Sequence, residues 1–132
     1  MSDSNNRTAS AKKVLIADDE QNIVISIEFL MRREGFQVLI AHDGDDALAK
    51  VVSERPDLIL LDVMMPKKNG YEVCQAIKGN LALASTKVLM LTAKGRDTEV
   101  AKGLAIGADD YMTKPFSTRD LVAKVKALLS VE

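Results

Sequence analysis

The stretch VLIADDEQN, residues 14–22, decides the fold of this chain. An apolar run from Val14 to Ala17 leads directly into three carboxylates, Asp18, Asp19 and Glu20. A short, continuous aliphatic run is typical of a strand that is buried on both faces. Because neighbouring like charges raise the cost of ionising one another, the acidic cluster predicts a site that awaits a positive charge.

Similar apolar runs recur along the chain and alternate with longer amphipathic segments. Gly35 and Gly107 lie where helices should end, and Ser117 is predicted to cap the last helix. Five repeats of strand then helix predict an α/β fold with one doubly wound, five-stranded parallel sheet. The further strand candidates are FQVLIA from Phe36, LILLDV from Leu58, VLMLTA from Val88 and DYMT from Asp110.

Composition excludes several classes of protein. The chain has 132 residues, 47% of them hydrophobic and 28% charged, which fits a single globular domain. A net charge of -1 gives no reason to expect direct binding to nucleic acid or to a membrane surface. The polar opening MSDSNNRTAS lacks the apolar core of a signal peptide, and no apolar stretch is long enough to span a bilayer. We therefore expect a cytoplasmic location.

Residues 1–12 and residues 13–132 differ in character. The first segment is rich in Ser and Asn and has no apolar period, so we predict a disordered N-terminal tail. Residues 13–132 are predicted to form the single folded domain. A single-domain protein and a domain cut from a longer protein would both give this sequence.

The residues that follow the predicted strands form one coherent set. The first strand leads into Asp18 and Asp19, the third ends in Asp62, the fourth in Thr92 and the fifth in Lys114. Ligands of doubly wound sheets bind at the carboxyl ends of the strands, where the strand order reverses. We therefore expect these side chains to share one rim of the sheet.

The chemistry of this set points to phosphoryl transfer. Carboxylates are preferred ligands of hard cations, and a small acidic cluster with open positions suits Mg²⁺ or Mn²⁺. An aspartate can act as a nucleophile and form an acyl phosphate. A metal ion and Lys114 can then stabilise the charge of the transferring group, while Thr92 offers a hydroxyl donor.

Four motifs, ADDE, LILLDVMMPKKNGYEVC, VLMLTA and GADDYMTKPF, carry a resemblance to a known family. From Lys13 to Val131 the chain resembles the receiver domain of bacterial two-component response regulators, the CheY-like family. The last third is similar to the OmpR/PhoB-type receivers. The resemblance implies a flavodoxin/CheY-like (βα)5 fold and a switch controlled by phosphorylation.

The resemblance also implies roles for the acidic residues. Asp62 matches the phosphoacceptor, which takes a phosphoryl group from a histidine of a partner protein and also contacts the metal. Asp19 matches the direct Mg²⁺ ligand, and Asp18 matches the acid that holds the metal through water. The backbone carbonyl of Met64 matches the remaining ligand. Glu20 is interpreted mainly as a helix-start residue, with a minor role at the metal as the alternative.

Three further positions match the family's switch and phosphate contacts. Thr92 matches the switch hydroxyl, Tyr111 the aromatic switch, and Lys114 the lysine that contacts the phosphoryl group. The bond from Lys114 to Pro115 matches one that is usually cis. Each of the three residues also has a purely structural interpretation: Thr92 as a β-branched strand residue, Tyr111 as a half-buried aromatic and Lys114 as a surface lysine.

The resemblance implies partners as well. The phosphoryl donor would be a sensor histidine kinase or a histidine phosphotransfer protein. The output would be a downstream protein target or an output domain that this sequence lacks. The chain would catalyse its own phosphorylation without being a conventional turnover enzyme. Neither Met64 nor Lys94 can position an attacking water, so we expect slow self-dephosphorylation.

A phosphorylation-dependent homodimer is a further expectation from the last third of the chain. In the OmpR/PhoB-type receivers this face pairs two copies through salt bridges. An ordinary solvated surface fits equally well, because exposed ion pairs contribute little and a lysine stands at 124 where arginine is typical. The charges that could take part are Lys102, Asp109, Asp110, Arg119 and Lys124.

Other functional classes fit the residues less well. A Mg²⁺-dependent phosphatase of the haloacid dehalogenase type also uses an aspartyl nucleophile, but its two acids are two residues apart, whereas Asp18 and Asp19 are adjacent. A flavin-binding fold would need a Ser/Thr/Gly-rich loop after the first strand. An interaction module without chemistry would lack one or more of the matching site residues.

Overall fold

The computed structural model describes residues 12–93 and 97–131, with the backbone alone for 97–100. Strands and helices alternate strictly along this part of the chain. The predicted tail up to residue 11, and Lys94, lie outside the described residues. The elements are β1 (Lys13–Ala17), α1 (Gln21–Arg33), β2 (Gln37–Ala41), α2 (Gly44–Glu54), β3 (Leu58–Asp62), α3 (Gly70–Lys78), β4 (Lys87–Ala93), α4 (Asp97–Ile106), β5 (Asp110–Lys114) and α5 (Thr118–Leu129).

The five strands form one parallel sheet in the order β2-β1-β3-β4-β5. This confirms the predicted doubly wound α/β fold. The chain passes from β1 to β2 on one side and to β3 on the other, so the strand order reverses at β1 and β3. Asp18 follows β1 and Asp62 ends β3, which places both at the reversal point.

The core has two halves, one on each face of the sheet. Val14, Ile16 and Leu60 pack on one face with α1 and α5, whereas Leu15 and Ile59 pack on the other face with α2 and α3. Successive strand residues point to opposite faces, so each buried run serves both halves. The continuous aliphatic runs of β1, β3 and β4 therefore have a simple cause: neither face of these central strands meets water.

Helix ends agree with the local sequence signals. Gly35 and Gly107 have positive φ of 94° and 120°, a conformation that favours glycine, just after α1 and α4. The Ser117 hydroxyl accepts a hydrogen bond from the Asp120 amide at 3.0 Å, as predicted. The second strand starts one residue later than expected, because the Phe36 amide donates to the Met31 carbonyl of α1 and not to a neighbouring strand. In the described part of the chain, no helix is long and apolar enough to cross a bilayer.

The loop between β3 and α3 folds tightly back onto the end of β3. The Gly70 amide donates to the Val63 carbonyl at 2.8 Å. A Cβ atom at Gly70 would lie 2.5 Å from the Asp62 carbonyl oxygen, closer than real Cβ contacts allow. Only glycine lets α3 begin this near to β3, so this position fixes where Asp62 sits relative to α3.

We predict that Gly70→Ala destabilises the chain by about 1–3 kcal/mol, because the added methyl group overlaps backbone atoms that cannot move independently. Thermal unfolding measures the change. Gly103→Ala is the matched control: its new Cβ would meet nothing nearer than Met90 at 3.5 Å, and alanine favours a helix interior. Equal unfolding temperatures for Gly70→Ala and the native chain would contradict the prediction.

Candidate functional site

The centre of the site is the ammonium group of Lys114. Its Nζ lies 2.9 Å from Asp18 Oδ2, 3.0 Å from Glu20 Oε1 and 3.5 Å from Asp62 Oδ1. These groups come from the ends of β1, β3 and β5, which the parallel sheet brings to one rim. The sequence prediction that Asp18, Asp62 and Lys114 converge agrees with this geometry.

Strand alternation explains why these three side chains meet on one side of the rim. Residues two apart on a strand point to the same face. Ile16, Leu60 and Met112 pack with α1 and α5. Two residues further along the same strands come Asp18, Asp62 and Lys114, respectively. Thr92 and Tyr111 have the opposite parity. The charged groups therefore continue one face of the sheet, and the two predicted switch residues continue the other.

Asp18 is the most buried acid of the site. Its side chain has no exposed surface, and its Oδ1 accepts a hydrogen bond from the Glu20 amide at 2.8 Å. That bond occupies one oxygen and leaves the other for Lys114. A buried carboxylate needs such partners, because an uncompensated charge away from water is very costly.

The interpretation of Glu20 mainly as a helix-start residue was incomplete. Glu20 is the N-cap residue of α1, but its side chain makes no capping hydrogen bond. Its carboxylate instead contacts Lys114. One oxygen each from Asp18, Glu20 and Asp62 lies within 4.8 Å of the others. The spacing of ADDE could not reveal this, because it depends on how far a longer side chain reaches back over the rim.

Asp19, which matches the direct metal ligand of the family, is exposed. Among the described residues, its carboxylate does not belong to the close set formed by Asp18, Glu20 and Asp62. Its charge nevertheless acts on the site, since it contributes to raising the pKa of Asp62. The structure therefore places Asp19 at the edge of the acidic cluster.

Asp62 is nearly buried, with 5% of its surface exposed. Burial, followed by the charge of Asp18, raises its pKa to about 7. Lys114 and a 3.3 Å hydrogen bond from the Met64 amide act in the opposite direction. Asp62 is therefore a carboxyl group whose ionised form gains from added positive charge near it.

Lys114 is firmly protonated. Burial lowers its pKa, but hydrogen bonds to Asp18 and Glu20 and the charge of Asp62 outweigh that effect and hold the pKa above its ordinary value. The peptide bond between Lys114 and Pro115 is cis. The side chain of Lys114 is only 16% exposed, so Lys114 is not the ordinary surface lysine that the alternative interpretation assumed.

Thr92 contributes a buried hydroxyl group without a partner. Its residue is 1% exposed, and Oγ1 makes no hydrogen bond with the part of the chain that the structure describes. Thr92 follows Leu91, which pairs with Asp62 across β3 and β4. A buried polar group without a partner is costly and calls for an explanation, such as a missing ligand.

Tyr111 lies on the edge strand β5 and is 38% exposed. It lines an open groove of about 690 Å³ between β5 and α5, together with Lys124 and Ala127. This position fits neither a core aromatic nor a ligand of the acidic cluster.

Cys74, by contrast, is fully buried on α3, and burial raises the pKa of its thiol to about 11.

The donor set of this site suits a hard divalent cation. Oxygens of Asp18, Glu20 and Asp62 are close enough to surround one ion, and carboxylate oxygens are the ligands that Mg²⁺ prefers. Burial and then the charge of Asp18 raise the pKa of Asp62, and the positive charge of such an ion would favour its ionised form. The residues present therefore fit a magnesium site.

The sequence matches the response regulator receiver domain family over residues 14–126. This chain belongs to the response regulator receiver family. Among curated relatives, the alkaline phosphatase synthesis transcriptional regulatory protein PhoP of Bacillus subtilis is 48% identical over 118 residues, which cover 89% of this chain and 48% of PhoP. The chain thus spans about half the length of that relative.

Solved receiver structures agree with this assignment. The chemotaxis response regulator CheY4 of Vibrio cholerae superposes with a TM-score of 0.83 at 32% identity, covering 89% of this chain and 98% of CheY4. The receiver domain of a signal transduction histidine kinase from Syntrophus aciditrophicus gives 0.84 at 34% identity, covering 90% of each chain. The family match decides against the two alternatives, a phosphatase of the haloacid dehalogenase type and a flavin-binding protein.

The chain is thus a receiver domain of a two-component system, which signals through phosphorylation. Receiver domains generally bind Mg²⁺ and interact with histidine kinases and output domains. The family assignment alone does not show which residue of this chain has which role.

The raised pKa of Asp62 predicts how stability depends on pH without metal. Asp62 holds its proton up to about pH 7 when folded, against a reference value of 3.8. The unfolded chain therefore binds fewer protons between these values, and this group removes stability as pH rises through that window. In EDTA, we expect Asp62→Asn to exceed the native chain in unfolding temperature by a margin that grows by several degrees from pH 4 to 7 and then levels.

The margin is measured by calorimetry across the pH series. Asp120→Asn removes an equal charge from an exposed position at the start of α5 and controls for the loss of a carboxylate as such. A pH-independent margin for Asp62→Asn, or one that shrinks towards pH 7, would contradict the assigned environment of this carboxyl group.

Proposed function

We propose that Asp62 accepts a phosphoryl group from a phosphohistidine of a sensor kinase or phosphotransfer protein, with Mg²⁺ or Mn²⁺ bound beside it. The observation that carries this proposal is a nearly buried Asp62, whose pKa is raised by burial and by the charge of Asp18, beside a buried Thr92 hydroxyl on the neighbouring strand that has no hydrogen bond within the described residues. A phosphoryl group on Asp62 would bring acceptor oxygens that the hydroxyl lacks.

The transfer can be written with this chain's own groups. An oxygen of the ionised Asp62 carboxylate attacks phosphorus, and the bond from phosphorus to the donor imidazole nitrogen breaks. The electron pair of that bond stays on the nitrogen, which takes up a proton. The product is an acyl phosphate on Asp62 and a neutral histidine on the donor.

Asp18, Asp19, Asp62 and the carbonyl of Met64 are the proposed metal ligands, with Asp18 acting through water. The position of Glu20 in the close set makes its carboxylate a further candidate. Bound Mg²⁺ supplies positive charge that offsets these carboxylates and the oxygens of the transferring group. Lys114 would contact those oxygens as well, since its ammonium already lies 3.5 Å from Asp62 Oδ1.

Thr92 and Tyr111 are the proposed switch. The Thr92 hydroxyl donates to a phosphoryl oxygen, which gives this buried group its partner. Tyr111 shares the strand parity of Thr92 on the adjacent strand β5 and is partly exposed, so it can change position as the surroundings of Thr92 change. The surface bearing Tyr111 thereby reports the state of Asp62 to a downstream protein or to an output domain.

The proposed domain comprises residues 13–132, preceded by a disordered tail in residues 1–12, in a cytoplasmic protein that contacts neither nucleic acid nor membrane directly. The phosphoryl group is expected to be long-lived. The Met64 side chain is 60% exposed beside Asp62 and has no group that could direct water. Lys94, the second position of this argument, lies outside the described residues.

Homodimerisation through the α4, β5 and α5 face stays a prediction. Three of the charges that it would use are paired within the chain: Lys124 contacts Asp110 at 3.0 Å, and Asp109 contacts Lys78 at 2.9 Å. Lys102 lies over the ring of Tyr71, 4.6 Å from its centroid. A dimer would have to exchange these internal contacts for equivalent ones in the partner copy.

The proposal is tested with acetyl phosphate and Mg²⁺ as a small phosphoryl donor. We expect intact mass spectrometry to show one added phosphoryl group on the native chain and none on Asp62→Asn. EDTA should prevent the reaction. After the donor is removed, the decay of the phosphorylated mass gives the lifetime. Modification of Asp62→Asn to the same extent would overturn the assignment.

Lys114 competes with a metal ion for Asp18 and Asp62 in the resting site. We therefore expect Lys114→Met to bind Mg²⁺ roughly three- to tenfold more tightly, since a unit charge near 4 Å is worth about 1 kcal/mol or more. The same variant should be phosphorylated more slowly, because it lacks the cation that contacts the phosphoryl group.

Titration calorimetry measures the metal affinity, and the acetyl phosphate reaction at saturating Mg²⁺ measures the rate. Lys87→Met is the matched control, because Lys87 is exposed at the opposite end of the sheet. It should alter neither quantity. Weaker Mg²⁺ binding by Lys114→Met would show that the lysine does not compete for these carboxylates.

A further inference from the structure

The sheet has an open edge at β2, which pairs with β1 alone. The Gln37 amide and the Ala41 carbonyl both form hydrogen bonds on the β1 side. Because the backbone groups of successive strand residues point in opposite directions, the N–H and C=O groups of Val38 and Ile40 face the open edge. Such an edge is a template on which another strand can form hydrogen bonds.

The side chains of β2 also favour pairing with a further strand. Val38, Leu39 and Ile40 are all apolar and all partly exposed, and two of them are β-branched. Val38 and Ile40 pack at the margin of the core half that contains α1 and α5, and Leu39 packs at the margin of the other half. An apolar edge strand without protection tends to self-associate, and a lysine placed on the edge is a common form of protection.

Lys50 blocks this edge at one point. Its Nζ donates to the Ile40 carbonyl of β2. The same ammonium group lies 3.2 Å from Asp46 Oδ2, one turn earlier on α2, and this contact holds the lysine in place. The covered carbonyl is one of the groups that face the open edge. Lys50 therefore occupies an acceptor that a further strand would need.

The open edge is complementary to a second copy of itself. In an antiparallel pair, two opposed residues exchange both of their N–H···O bonds. If two β2 strands meet about a two-fold axis at Leu39, Val38 of each copy lies opposite Ile40 of the other. Two such residue pairs with two bonds each give four hydrogen bonds, and two of these four need the Ile40 carbonyl that Lys50 covers. The opposed side chains are apolar in every pair.

We propose that Lys50 keeps the β2 edge closed and that, without its charge, β2 pairs antiparallel with β2 of a second copy of this chain. The Lys50 side chain is 36% exposed, and a second copy docked over it would remove the ammonium group from water at a cost. This surface is distinct from the α4, β5 and α5 face, because β2 and β5 form opposite edges of the sheet.

The test compares Lys50→Met with the native chain by sedimentation equilibrium over a concentration series. EDTA is present and no phosphoryl donor is added, so phosphorylation plays no part. Methionine keeps an extended, unbranched side chain but cannot donate to the Ile40 carbonyl. We expect the dimer dissociation constant to fall roughly ten- to hundredfold, because two further hydrogen bonds become available. Lys50→Arg keeps a donor and a charge and should behave like the native chain.

Val38→Pro separates edge pairing from other modes of association. Proline removes the Val38 N–H, which faces the open edge and serves no bond within the sheet, so the fold should tolerate it. In the Lys50→Met background, Val38→Pro should restore the native dissociation constant, because it deletes the donors of the two bonds that Lys50 blocks. Val38→Thr keeps the N–H and should leave the Lys50→Met dimer intact.

Two further measurements exclude general effects of substitution. Lys68→Met removes an equal charge, one that contacts Asp45 of α2 at 3.4 Å, and should leave the dissociation constant unchanged. Hydrogen exchange followed by NMR should show the Val38 and Ile40 amides of Lys50→Met protected at high protein concentration and exchanging freely after dilution. The exchange measurement needs no substitution within β2.

Three outcomes would overturn the inference. The first is an equal dissociation constant for Lys50→Met and the native chain. The second is a Lys50→Met dimer that survives Val38→Pro, which would place the contact on another face of the molecule. The third is a dimer in which the Val38 and Ile40 amides exchange as freely as in the monomer.

Discussion

One ammonium group shared among three carboxylates is the constraint on which the rest of this structure depends. Asp18 and Asp62 are buried at the reversal point of the sheet, and burial of either charge without a cation would be prohibitive. Lys114 meets that need only because β5 ends at the same rim as β1 and β3. The parallel topology is therefore what makes the acidic cluster compatible with a stable fold, and it leaves Asp62 short of positive charge.

Strand alternation divides the site into two parts with different tasks. Asp18, Asp62 and Lys114 continue the face that packs on α1 and α5, where the charges balance one another. Thr92 and Tyr111 continue the opposite face, where the Thr92 hydroxyl is buried without a hydrogen bond to residues 12–93 or 97–131 and the Tyr111 ring is partly exposed. Asp62 adjoins the second part across the pairing of β3 with β4, where Asp62 lies opposite Leu91, the residue before Thr92. The proposed switch would rest on that separation, because an event at Asp62 on one face would be sensed on the other.

The sequence could predict the sheet, the rim and the charged residues, because each follows from where a buried strand ends. It could not predict that Glu20 joins Lys114, since that depends on the reach of a flexible side chain. The internal pair of Lys124 with Asp110 was also out of reach, because charge spacing along a chain does not say which partner is chosen. The positive φ of Lys67 has no signal in the spacing of PKKNG, where lysine replaces the residue types that favour this conformation.

The loop after Asp62 determines which parts of the structure around the site can move. Gly44 and Gly70 let this loop pack against the starts of α2 and α3 with no room for a Cβ, and the Gly70 amide closes it onto Val63. A phosphoryl group on Asp62 cannot be accommodated by shifting such a loop without breaking those contacts. The side of Thr92 offers less resistance, since its hydroxyl gives up no hydrogen bond when it turns. The structural change should therefore occur towards β4 and β5. The rigid loop on one side of the site thus determines where the other side responds.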